Sequence, residues 1–177
     1  IVAAAATTVN IGAASNITAN TITSNAATAI NISGAGNLVA YTQNGTAAAV
    51  ITNSGTGNVT LVTGIAAGQT YVGGAGVDTL TFAATSTIAN TLGAGNDVAT
   101  FSAVAGTGGS VDGGDGDDTA VMTHAQAITL SGATAFEADI ASFEVLSLGG
   151  ITATQTTAAV SLANMDDINN VILAGAL

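Results

Sequence analysis

The chain has 177 residues, no Lys or Arg, eleven Asp and Glu, and a formal charge of −11. Lacking any fixed cation, it has nothing to set against phosphates, which excludes nucleic acid as a partner, and anionic lipid headgroups repel it. It has no Cys to form disulfides, and its apolar residues (48% of the chain) are too scattered for a transmembrane helix. The carboxylates still need a counter-charge, and a divalent metal is the obvious source. With no initiating Met and no basic, apolar leader, the chain reads as a mature piece or as a fragment of something longer.

Residues 1 to 77 contain no Asp, Glu, His, Lys or Arg. What organises them is a repeat. G-x-G triplets lead with Gly34, Gly55, Gly74, Gly93 and Gly114, in steps of 21, 19, 19 and 21 residues. A sixth triplet, Gly106 to Gly108, falls out of register. Between triplets, Val59-Thr60-Leu61, Thr79-Leu80-Thr81-Phe82 and Ile128-Thr129-Leu130 alternate polar and apolar residues, which predicts strands. Leu80, Ala99 and Ala120 hold equivalent positions, as do Phe82, Phe101 and Met122 two residues later, so both columns share one face. A coil of about 20 residues with two short strands and two turns predicts an all-β solenoid, of β-helix or β-roll type. Five or six such coils make a rod roughly 25 Å long.

The chain divides into a solenoid over 1–135, with its acidic turns at 73–121, and a C-terminal part over 136–177. That last part repeats itself at a spacing of 25: Phe143, Leu146 and Leu148 are echoed by Ile168, Val171 and Leu173. Each copy predicts a turn or helical corner followed by an apolar strand, either as two further coils or as a helical cap.

Six of the eleven acids lie between 78 and 118. Three triplets end in an acid two residues after their second Gly: Gly73-Gly74-Ala75-Gly76-Val77-Asp78, Leu92-Gly93-Ala94-Gly95-Asn96-Asp97 and Gly113-Gly114-Asp115-Gly116-Asp117-Asp118. Glycine permits a tight curl that turns carbonyl oxygens inward, and Asp adds a short, hard, anionic oxygen. Calcium takes six to eight such oxygens in irregular geometry, so two stacked turns complete one shell. The turns at Gly74, Gly93 and Gly114 therefore frame two inter-turn sites. Asp112, Asp115 and Asp117 read equally as further ligands and as a solvated acidic turn.

These segments, each followed by an apolar residue, resemble the RTX calcium-binding nonapeptide G-G-x-G-x-D-x-(apolar)-x. Segment 73–81 matches every defined position, with Leu80 as its apolar residue; segment 92–100 has Leu92 in place of the first Gly, and segment 113–121 has Ala120 as its apolar residue. The resemblance implies a right-handed parallel β-roll. Its ligands would be Asp78, Asp97 and Asp118 with the carbonyls of Gly74, Gly76, Gly93, Gly95, Gly114 and Gly116; of the acidic-turn residues, Asp115 is kept as a candidate metal ligand beside them. Leu38 and Val59 stand where the earlier coils would need Asp, so those coils are expected to be metal-free. The motif recurs on one side only; the opposite turns near Ser86, Gly106 to Gly109 and His124 lack it. With the Thr, Ala, Asn and Gly bias, this pattern is similar to surface-layer proteins of Gram-negative bacteria secreted by the type I route.

Other chemistry finds no support in the residues. Thr123 stands where an EF-hand starting at Asp112 needs Glu, and without Lys there is no P-loop. None of the triplets continues into the dinucleotide-binding pattern. His124 is the lone histidine and reads as a surface or turn residue. Glu137, Asp139 and Glu144 lack the aromatic platform of a glycosidase. Thr79/Thr81, Thr85/Thr87 and Thr152/Thr154 are too few for an ice-binding array.

The expected function is therefore structural and non-enzymatic: an extracellular, calcium-stabilised rod that assembles with copies of itself at a bacterial surface, with cell-surface polysaccharide as a further partner. The alternatives are an adhesin or biofilm-matrix segment, and the RTX tail of a secreted hydrolase whose catalytic domain lies elsewhere.

Overall fold

The computed structural model describes residues 1–40, 43–82, 86–102, 109–131, 139–150, 159–165 and 167–174, without the side chains of Asn44 and Asn164. Thr85, Gly106, Gly108, Glu137, Thr152, Thr154 and Asp166 lie outside them.

The chain winds into coils. The first carries β1 (Thr8–Gly12), β2 (Ile17–Ala19) and β3 (Ile22–Thr23), and the second β4 (Ala29–Ser33), β5 (Leu38–Ala40) and β6 (Gln43–Asn44). Later coils have two strands each: β7 (Val50–Asn53) with β8 (Val59–Ile65), β9 (Thr70–Val72) with β10 (Thr79–Phe82), and β11 (Ala89–Thr91) with β12 (Val98–Phe101). Next come β13 (Ser110–Asp112) and β14 (Thr119–Thr123), then the helix α1 (His124–Ser131). β15 (Ile140–Ala141) and β16 (Val145–Gly149) follow, and a 3-10 turn at Leu162–Asn164 leads to β17 (Asn170–Ala174).

Every strand pairs in parallel with its counterpart one coil away. One sheet runs β1-β4-β7-β9-β11-β13-β15, the other β2-β5-β8-β10-β12-β14-β16-β17, with β3 and β6 as a small third ladder. The result is a parallel β-solenoid of about seven turns. That exceeds the five or six coils suggested by the glycine triplets, because β15 to β17 extend both main sheets without any triplet. At about 4.8 Å per coil, seven stacked strands span roughly 30 Å.

The period-2 pattern does what it predicts. Leu80 pairs with Ala99, and Ala99 with Ala120; Phe82 pairs with Phe101. Their side chains are buried, so each coil contributes a rung to a continuous apolar column between the sheets. Phe82 stacks on Phe101 with centroids 5.6 Å apart, and Phe101 meets Phe143 edge-on at 6.2 Å. The C-terminal echo is also a register. Leu146 pairs with Val171 and Leu148 with Leu173, while Phe143 and Ile168 are both buried.

One expected strand is a helix instead. Ile128-Thr129-Leu130 lies in α1, where Ala127, Leu130 and Ser131 are the buried positions, at helical rather than alternating spacing. The cause lies just upstream, in a capping box. Thr123 Oγ1 accepts from the Gln126 N–H, and Gln126 Oε1 accepts from the Thr123 N–H at 2.8 Å. His124 opens this helix, half-buried.

The glycines of the five triplets stack directly. A Cβ on Gly55, Gly74, Gly93 or Gly114 would come within 3.0 Å of the carbonyl oxygen of the leading glycine one coil below. The second glycines, Gly36, Gly57, Gly76, Gly95 and Gly116, stack in the same way. Gly93 and Gly114 also hold φ of +107° and +99°, where a side chain is strained. Close coil contact thus accounts for the repeat of glycine by itself. Among the described residues, no helix is long and apolar enough to cross a membrane.

Candidate metal centre

The turn that leads into each strand of the second sheet places one residue at, or just before, the start of that strand. In chain order this column reads Ile17, Leu38, Val59, Asp78, Asp97, Asp118 and Glu144. Pairing joins Ile17 to Leu38 and Leu38 to Val59, and the adjoining strand registers carry the column onward. Leu38 is fully buried and Val59 nearly so, and the three aspartates that continue them are fully buried too. A core column therefore changes from hydrocarbon to carboxylate partway along the rod.

Each carboxylate reaches back one coil for a backbone donor. Asp78 Oδ1 accepts from the Val59 N–H (2.9 Å), Asp97 Oδ1 from Asp78 (2.7 Å), Asp118 Oδ1 from Asp97 (2.6 Å) and Glu144 Oε2 from Asp118 (2.7 Å). In the neutral coils the same N–H groups bond to backbone carbonyls: Ile17 to Asn37 and Leu38 to Asn58. A parallel column of Asn lies one residue earlier and points the other way. Asn16, Asn37 and Asn58 each accept, at 3.0 Å, the N–H of the residue one coil on, Asn37, Asn58 and Val77 respectively. The triplet spacing locates this second ladder, but only the fold shows its direction.

The three aspartates are not equivalent. Asp78 has both oxygens occupied, since the Tyr71 hydroxyl donates to its Oδ2 at 2.7 Å. Asp97 Oδ2 and Asp118 Oδ2 are buried and have no hydrogen-bond partner, and neither does Asp112 Oδ1. A buried, unpaired carboxylate oxygen is costly, and it favours either a proton or a cation. Burial raises the Asp78 pKa against the opposing bonds from Tyr71, Val59, Asn53 and Gly74. Burial, with the neighbouring Asp78 and Asp118 carboxylates, pushes Asp97 up to about 7. Asp118 is pushed up to about 6 by burial, then by Glu144, Asp112 and Asp117. Tyr71 is raised in turn by burial and by the Asp78 charge, which keeps its hydroxyl protonated as a donor.

The glycine ligands expected from the motif have other work as well. The Gly74 carbonyl accepts the Ala94 N–H at 2.8 Å, and the Gly93 carbonyl accepts the Asp115 N–H at 2.9 Å. Each leaves a second lone pair. Gly76, Gly95 and Gly116 sit over one another beside this column, and Gly114 over Gly93. Asp115 and Asp117 are exposed at the turn, outside the buried column. Among the described residues, no three His, Cys, Asp or Glu side chains form a cluster that closes on one ion. A cation here would draw on carbonyl oxygens as well as carboxylates. The donor set, carboxylate and carbonyl oxygens on a chain without Lys or Arg, fits calcium. A groove of about 320 Å³ beside α1, lined by Phe101, Met122, Thr123 and Gln126 among others, includes no acid and no histidine.

Sequence reading missed Tyr71 and Glu144. Glu144 carries no triplet, and its signal was its place just before the apolar strand Val145–Gly149. Nothing local marks Tyr71 as the partner of a residue seven positions on. Tyr71→Phe is expected to leave Asp78 Oδ2 unpaired and to cost about 1–3 kcal/mol, measured as a lower urea midpoint with unchanged slope.

No protein-family model matches this chain, and no curated protein is significantly similar to it in sequence.

Proposed function

We propose that this chain is a structural, non-catalytic solenoid of RTX type, stiffened by calcium along its carboxylate column and assembling with copies of itself outside the cell as a surface-layer-like lattice. The observation that carries the metal reading is the pair of buried, unpartnered oxygens on Asp97 and Asp118, in a chain with no Lys or Arg to neutralise them. Calcium would supply that charge from solution, held by these carboxylates with turn carbonyls. The neutral coils, with Leu38 and Val59 in the same column, need no ion.

Assembly is supported by what the rod leaves uncovered. β17 is exposed along its whole length, including Val171, Ile172 and Leu173, although its register partners Leu146 and Leu148 are buried. Among the described residues, β17 is the last strand of its sheet, and the chain has no Lys to block such an edge. A second copy approaching with its N-terminal coils would cover this edge without like-charge repulsion, since residues 1 to 77 include no Asp or Glu.

Titrating calcium into chelated protein, followed by far-UV circular dichroism and negative-stain electron microscopy, tests both parts. Gain of β-structure or a raised melting temperature with calcium, then sheets or filaments at saturation, is the expected result. Complete β-structure in chelator with no response to calcium would remove the metal from the proposal. Monodisperse monomers at saturation would remove the lattice.

A further inference from the structure

The second sheet is the acid-free face of a strongly acidic molecule. Its strands contain no Asp or Glu, although the chain has eleven. The outward column Thr60, Thr79, Val98, Thr119 and Val145 is built of Thr and Val alone.

One end of this face carries a ridge. Leu61 pairs with Leu80 and Ile65 with Phe82, so β8 uses two more residues than β10 over the same stretch. Leu61, Gly64 and Ile65 stay buried while Val62 and Thr63 are exposed, which pushes the extra pair outward as a bulge. In the first coil, Asn20 and Thr21 stand likewise between the buried Ala19 and Ile22. Ala40 and Gln43, which pair with Ala19 and Ile22, leave room for the same two-residue step in the second coil.

The other end carries a hollow. The groove of about 320 Å³ is lined by Thr100, Phe101 and Ser102 from one coil and by Val121, Met122 and Thr123 from the next. Phe101 lies in the column of Phe82 and Ile65, so ridge and groove sit at the same place across the strands. Between them runs β10, the middle strand of the seven from β2 to β16.

We propose that two copies of this chain dock face to face through the second sheet, antiparallel, about a two-fold axis along β10. That axis sets β8 of one copy opposite β12 of the other, β5 opposite β14 and β2 opposite β16, so each ridge enters a groove. Such a contact is self-complementary and closed. Charge favours it, because each copy carries −11 and docking through acid-free strands keeps those charges apart. The face measures roughly 30 by 13 Å, about half of what a freestanding interface buries per partner. The dimer is therefore weak alone and gains strength by repetition in an array. This rests on the self-assembly part of the reading above, adds a lateral contact to the end contact at β17, and involves no metal.

Sedimentation velocity of the full chain over a concentration series tests it, with circular dichroism to check that each variant keeps its β-structure. The parent should form a concentration-dependent dimer. Val62→Asp, at an exposed position on the ridge, should weaken it by about tenfold or more, since each dimer would bury two carboxylates in apolar grooves. Val72→Asp, on the outer face of the other sheet, and Leu173→Asp, which spoils the end contact, should leave it unchanged. A parent that stays monomeric, equal dimerisation with Val62→Asp, or loss of the dimer in Leu173→Asp would overturn the proposal. The chain has no Cys, so single cysteines read the symmetry directly. Thr79→Cys, on the axis strand, should link to its own copy through a short bismaleimide, and Val72→Cys should not. Sheets or filaments without the Thr79→Cys link would sink this contact and keep the lattice; a linked dimer that never grows further would do the reverse.

Discussion

In excess chelator, the protein is expected to lose stability as the pH rises from 3.8, the ordinary Asp value, to about 7. Asp97 and Asp118 have folded-state pKa values raised to about 7 and about 6. Between the unfolded and folded values the native state holds more protons than the unfolded state, so the slope of stability against pH is negative. The stabilisation is complete below 3.8 and gone above about 7, and Asp78, raised in the same direction, adds to it. At ~1.4 kcal/mol per pH unit for each proton, the loss is on the order of several kcal/mol, a large part of a small domain's stability. Melting temperatures across a pH series in chelator would read it. Asp97→Asn, which cannot titrate, should flatten the slope and raise the neutral-pH midpoint. A profile that rises with pH would mean that the carboxylates are ionised and satisfied within the fold. Calcium binds only the deprotonated form, so its affinity should climb through the same window.

Phe101→Ala is expected to cost about 3–5 kcal/mol. Phe101 is 4% exposed, stacked on Phe82 and edge-on to Phe143, so its removal opens a cavity and breaks two aromatic contacts between coils. Because each coil touches only its neighbours, the loss falls at one interface of a nearly one-dimensional stack. Urea unfolding should show either a single lowered midpoint or a split transition in which one side of the break melts first. A change below ~1 kcal/mol would mean that the aromatic column does not couple the coils.

Much of this architecture can be read from spacing. Steps of 19 and 21 between triplets match the coil length because a backbone turn that must pass within contact of the one below tolerates only glycine. The alternation of Leu80 and Phe82 gives strand and face together, since side chains in a strand alternate. Three-residue alternation was too little at Ile128 to Leu130, where the Thr123 and Gln126 cap outweighed it. The aspartates were visible as candidate ligands, but their inequivalence was not. It depends on a tyrosine one strand earlier and a glutamate 26 residues later, brought to the column only when the coils stack.

What the sequence determined by itself is the repeat, and with it the solenoid, because glycine stacking and period-2 burial are local rules applied coil after coil. It also determined that the chain brings no Lys or Arg to set against its eleven acids. Only the tertiary structure decided which carboxylate oxygens are paired and which are left alone in the core. That outcome depends on which side chains one coil offers to the next, and stacking distances are set by the whole fold rather than by neighbours in the chain.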